Sequence, residues 1–187
     1  MKNKILLATA ILTIISFFWT CLPSVPCSDH FKTTGIRSIT LSEIKDVETF
    51  VNREQDTQIW LNEDDTATYD KLCTDIRFNY EGGGTSCANE KREEIIKINV
   101  IANEDYNSNY HKGDTLNDII YIKRSYGAWK LYNLNDFFNK EQPISNDIFL
   151  FLNKAPDGII KNSFKIEYFG SGNVCHTKTT KQIYIKP

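Results

Sequence analysis

Few residues of this chain are of types and spacings that do chemistry. Three histidines are present, His30, His111 and His176, and only His176 has a cysteine beside it, Cys175. Neighbours on a strand point to opposite faces, so this pair is not expected to share a metal or to act as nucleophile and base. The acidic clusters Glu63-Asp64-Asp65 and Glu104-Asp105 fall just beyond apolar stretches, in expected loops. A calcium loop needs oxygen ligands at the spacing Asp-x-Asp-x-Asp-Gly, which neither supplies, so solvated loop charge is the reading. Gly82-Gly83-Gly84 lacks the Lys-Ser/Thr that completes a phosphate loop, and no Gly-x-Ser-x-Gly elbow occurs. No catalytic residue, metal or cofactor is therefore expected, and the chain reads as a protein that binds or attaches rather than an enzyme. Two carboxylates brought together from distant strands to hydrolyse a glycan form the less favoured alternative.

Aromatic side chains are the better candidates for contact. Trp60 and Trp129 are the ligand-binding candidates, with Tyr106, Tyr110, Tyr126 and Tyr132 also in loop-like surroundings. Exposed rings would make a sugar- or protein-binding surface, as in a secreted carbohydrate-binding module. Strand packing uses the same residue types, and is the first expectation for most of them.

The start of the chain bears on where such contacts would be made. Lys2 and Lys4 precede an apolar run from Ile5 to Trp19. That run falls short of the roughly 20 residues that span a bilayer, and a basic start followed by a short apolar core is the pattern of a secretory signal. Residues 1–20 are read as that signal. Cys21 follows it and is the expected lipidation site, where acyl chains would replace the signal and hold the protein to a membrane. The tether would span residues 21–30, with Pro23 and Pro26, and one domain residues 31–187. The expected location is the outer membrane or cell surface, or the periplasmic side. Removing Lys2 and Lys4 takes the formal charge from −2 to −4. That sign argues against nucleic acid and leaves an envelope protein or a glycan as the expected partner.

The chain has five cysteines, an odd number for an exported protein. Lipidation of Cys21 leaves Cys27, Cys73, Cys87 and Cys175 as disulfide candidates. The favoured pairing joins Cys73 to Cys87, the shortest loop, and leaves Cys27 with Cys175.

Alternation dominates the elements that must position these residues. Leu72, Thr74, Ile76, Phe78 and Tyr80 share one face of an expected strand, with Cys73, Asp75, Arg77 and Asn79 on the other, polar face. Ile96, Ile98, Val100 and Ala102 form a second stripe, opposed by Lys97 and Asn99. Further strands are expected at 148–152 and 164–168, the latter in a hairpin with 182–185, and near 36–41, 58–61 and 119–123. The spacing of Leu41, Ile44, Val47, Phe50 and Val51 allows a short helix, and residues 115–118 and 133–136 suggest helical turns. The fold class is all-β: an antiparallel two-sheet sandwich, immunoglobulin-like in general shape, with one or two short helices.

The layout of Cys21 and Cys27, the segment Ile98 to Asp118 with Lys112-Gly113-Asp114-Thr115-Leu116, the segment Phe151-Leu152-Asn153-Lys154-Ala155-Pro156 and the strands from Phe164 to Ile185 resembles small lipoproteins of unknown function from Bacteroidetes. The resemblance covers most of the chain beyond the signal. It implies a lipid-anchored β-sandwich, and carries no catalytic positions.

Overall fold

The structure, a computed structural model, describes residues 30–53, 57–81, 91–92, 95–125, 130–140, 147–170 and 175–187. In chain order the elements begin with β1 (His30–Ile44), helix α1 (Val47–Arg53), β2 (Gln58–Trp60), β3 (Thr66–Thr68) and β4 (Leu72–Glu81). Next come β5 (Lys91–Arg92), β6 (Ile95–Ala102), β7 (Ile120–Arg124), β8 (Tyr132–Asn133) and helix α2 (Leu134–Lys140). The chain closes with β9 (Ile148–Leu152), β10 (Ile160–Asn162), β11 (Phe164–Gly170), β12 (Cys175–Thr179) and β13 (Ile183–Lys186).

These strands form an all-β sandwich. The large sheet runs β2-β1-β4-β9-β7-β8, antiparallel throughout, with β5 lying parallel to the start of β1. Facing it is the three-stranded sheet β12-β11-β6. A third small sheet, β10-β13-β3, buries Ala67, Ile183 and Ile185 in the same core and includes a parallel pair, β13 with β3.

The alternation explains how the sheets meet. Leu72, Ile76 and Phe78 of β4 and Ile148 and Leu150 of β9 face inward, against Ile98 and Val100 of β6 and Ile166 and Tyr168 of β11. Phe78 and Tyr168 cross edge-to-face at 5.3 Å between centroids, an arrangement worth about 0.5–1.5 kcal/mol beyond the area it buries. Helix α2 packs against β6, β7 and β8, and its Phe137 enters the core.

Three expectations are corrected. The hairpin partner of β11 is β12, with Phe169 opposite Cys175, whereas β13 crosses to the third sheet. Strand β12 comes between Gly170 and residue 182 in the chain and carries no apolar stripe from Cys175 to Thr179, so alternation does not mark it. Leu41 and Ile44 belong to β1, and the helical spacing begins to be used only at Val47.

The third correction concerns the supposed polar face of β4. Phe50 of helix α1 packs on it at Cys73, and both Cys73 and Asp75 are buried, whereas Arg77 and Asn79 further along stay exposed. Phe50 of α1 meets Phe149 at 5.4 Å and Phe151 at 6.2 Å, both edge-to-face, and with Ile44 and Cys73 these rings form a second small core outside the large sheet. Asp46 starts the helix: its carboxylate accepts from the backbone N–H of Glu48 (3.0 Å) and Thr49 (3.3 Å), as an N-cap does.

Candidate functional site

Register carries three sets of candidate residues to different places. Strand β2 is the outermost strand of the large sheet, and Trp60 pairs with Ser42 and Ile59 with Glu43. The two side chains therefore leave opposite faces of the edge. Both are out of the core, Ile59 58 % exposed and Trp60 55 %. Beside them lies an open groove of about 460 Å³ lined by Glu43, Lys45, Thr57, Ile59 and Lys71. Ile59 is rimmed by charge on its face of the edge, and Trp60 stands exposed on the other face, tryptophan being the residue type that most often dominates a contact surface.

The second place lies beneath α1. Register aligns Ser42, Cys73 and Phe151 in one row across the sheet, and Thr40, Asp75, Phe149 and Lys123 in the next. Asp75 is 3 % exposed and Lys123 1 %. The Lys123 ammonium sits 5.1 Å from the centroid of the Phe50 ring and 5.7 Å from that of Phe149. One oxygen of Asp75 accepts from the Arg77 guanidinium at 3.2 Å. Burial raises the pKa of Asp75, and Arg77 pulls against that rise. Burial also pushes the Cys73 thiol well above its ordinary value, helped by the nearby Asp75 carboxylate. A nucleophilic cysteine needs its thiolate, and this fully buried one stays protonated at neutral pH. The cluster is structural.

The expected disulfides are corrected at the ends that the structure describes: Cys73 and Cys175 are free thiols. Cys73 is buried among Ile44, Phe50 and Phe151. Cys175 is exposed at the start of β12. Cys21, Cys27 and Cys87 lie outside the described residues, as does Trp129.

The remaining candidates have local roles. His176 stacks on Tyr168 at 4.8 Å while Cys175 points away, as strand alternation requires. Glu104 and Asp105 belong to a loop that closes on itself: the Lys112 ammonium reaches Glu104 at 3.2 Å, and the Lys112 N–H donates to Asp105 at 2.8 Å. Tyr106, fully buried, donates its hydroxyl to the Lys154 carbonyl at 2.5 Å. No group of three or more His, Cys, Asp or Glu that could hold a metal occurs among the described residues, and none of their helices is long and apolar enough to cross a membrane.

A third place went unforeseen in the sequence. Between β6, the turn before β7 and the start of α2 lies a polar groove of about 360 Å³, lined by Lys97, Asn99, Thr115, Asn117, Asp118 and Asn135. The hydrophilic positions opposing the β6 stripe, Lys97 and Asn99, and the cap-like Asn117-Asp118 were visible as pattern. Nothing in their spacing showed that they converge.

No family model matches this chain, no curated protein matches it, and no solved structure matches it. The functional reading therefore rests on the residues and the geometry above.

Proposed function

We propose that this chain is an exported, lipid-anchored envelope protein that acts by binding, not by catalysis, and that the β2 edge around Trp60 is its contact surface. The observation that carries the reading is the indole of Trp60, more than half exposed on the outermost strand, with Ile59 exposed on the other face of the same edge. Apolar side chains of this size stay out of the core at an energetic cost that a partner would recover. The anchor rests on the apolar run ending before Cys21. Free thiols at Cys73 and Cys175 remove the cysteine count as support for it. A carbohydrate partner is the second reading, favoured by the flat face that an exposed indole offers to a sugar ring.

The test takes the protein from its native membrane fraction. Intact mass should show a diacyl- or triacylglyceryl group on Cys21, and an unmodified N-terminus downstream of Cys21 would refute the anchor. Trp60→Ala should weaken capture of the envelope partner by about 2 kcal/mol or more while the fold persists. Unchanged capture by that variant would remove Trp60 from the contact.

A further inference from the structure

We propose that the polar groove lined by Lys97, Asn99, Thr115, Asn117, Asp118 and Asn135 is a binding site for one small neutral saccharide, distinct from the Trp60 edge. The groove is built on β6 of the facing sheet, the turn before β7 and the start of α2, and shares no lining residue with β2 or with the groove beside Ile59.

The groove is held ready. Asn117 is buried, its Oδ1 accepting from the Val100 N–H at 2.9 Å and its Nδ2 donating to the Ile98 carbonyl at 2.8 Å. The side chain thus stands in for a neighbouring strand along β6, and the next residue, Asp118, is fixed as a consequence. The Tyr110 hydroxyl donates to one oxygen of Asp118, and the Asn133 amide donates to its backbone carbonyl at 2.9 Å. Asn99 donates to Glu167 at 3.3 Å. The Lys165 ammonium, 2.9 Å away, holds Glu167 below the ordinary carboxylate range, so that it stays ionised behind Asn99. A site fixed before its ligand arrives loses little entropy on binding.

Chemistry selects the ligand class. A sugar hydroxyl both donates and accepts, and this groove offers acceptors (the Asp118 carboxylate and the Asn99 and Asn135 amide oxygens) and donors (the Lys97 ammonium and the Asn135 amide N–H groups), while the Asn117 amide is taken up by β6. Its volume lies at the small end of ligand sites, which begin at about 300 Å³. A phosphate would meet the carboxylate of Asp118 with one ammonium to offset it. An apolar ligand would cover the Asp118 carboxylate and the Asn135 amide without hydrogen-bonding them.

The experiment is a two-dimensional amide NMR titration of the full chain with glucose, galactose and N-acetylglucosamine separately, and with glycine and inorganic phosphate as the competing chemistries. At least one of the sugars should shift the side-chain amides of Asn99 and Asn135, with a dissociation constant on the order of 1 mM. Asn99→Ala and Asp118→Asn should each weaken that binding about tenfold, and Ile159→Ser, on an exposed residue away from the groove, should leave it unchanged. The spectra themselves report whether each variant is folded. The proposal fails if none of the sugars moves these amides at about 50 mM, if glycine or phosphate binds there instead, or if both groove variants bind as the parent does.

Discussion

At the scale of single residues, Asp75 is the most informative. Its environment disfavours the ionised form chiefly through burial, with Arg77 offsetting part of that and Asp147 adding to it. A carboxyl whose pKa is raised on folding holds its proton more tightly in the folded state. Its contribution is complete below the unfolded value near 3.8 and disappears as pH rises through the folded pKa. Asp75→Asn should therefore flatten the pH dependence of stability just above pH 4 and match or exceed the parent at neutral pH. Urea melts from pH 3 to pH 8 on parent and variant check this, and an unaltered profile would show that the residue titrates normally. Asp75 was placed on a solvated face by its alternation with Ile76 and Phe78. Periodicity reports which face a side chain shares, but not whether some other part of the chain later covers that face.

Elements supply that cover. Helix α1 is seven residues long, far below the length at which a helix is stable alone, so packing holds it in place. Phe50 provides most of that packing through Phe149 and Phe151. Phe50→Ala should cost about 3–5 kcal/mol in a denaturant melt and open Cys73 to thiol reagents. In the native parent, peptide mapping after brief alkylation should find Cys175 modified and Cys73 protected. On the other sheet, Asn117 performs for β6 what a pairing strand would. Asn117→Ala leaves the Val100 N–H and the Ile98 carbonyl buried without those partners and should cost about 2–4 kcal/mol. The stripes at β4 and β11 are legible because each alternates, whereas at β6 a register shift opposite Gly170 buries Ile95 and leaves the expected Ile96 exposed, and β9 is apolar on both faces. The groove was not legible, because its residues come from a strand, a turn and a helix that only the folded chain brings together.

For the molecule as a whole, a single core spans all three sheets, from Ile76 and Leu150 through Val100 and Ile166 to Ile183 and Ile185. Unfolding should accordingly be one cooperative transition, with tryptophan fluorescence and far-ultraviolet circular dichroism giving coincident midpoints. Separated midpoints would mean that the β10-β13-β3 sheet melts by itself. The sandwich architecture followed from the number of alternating stripes, whereas the destination of β13 did not, since a strand's own sequence does not name its neighbour. The length of β1 has one further consequence. It runs from His30 to Ile44, with register shifts against β4 between Thr33 and Gly35 and between Ile36 and Ser38, and Trp60 lies opposite Ser42, near its far end. At about 3.3 Å per residue the strand covers roughly 45 Å. A lipid on Cys21 would hold the His30 end close to the bilayer, so β1 would act as a mast, carrying Trp60 clear of the headgroups and out to where a partner approaching from solution meets it first.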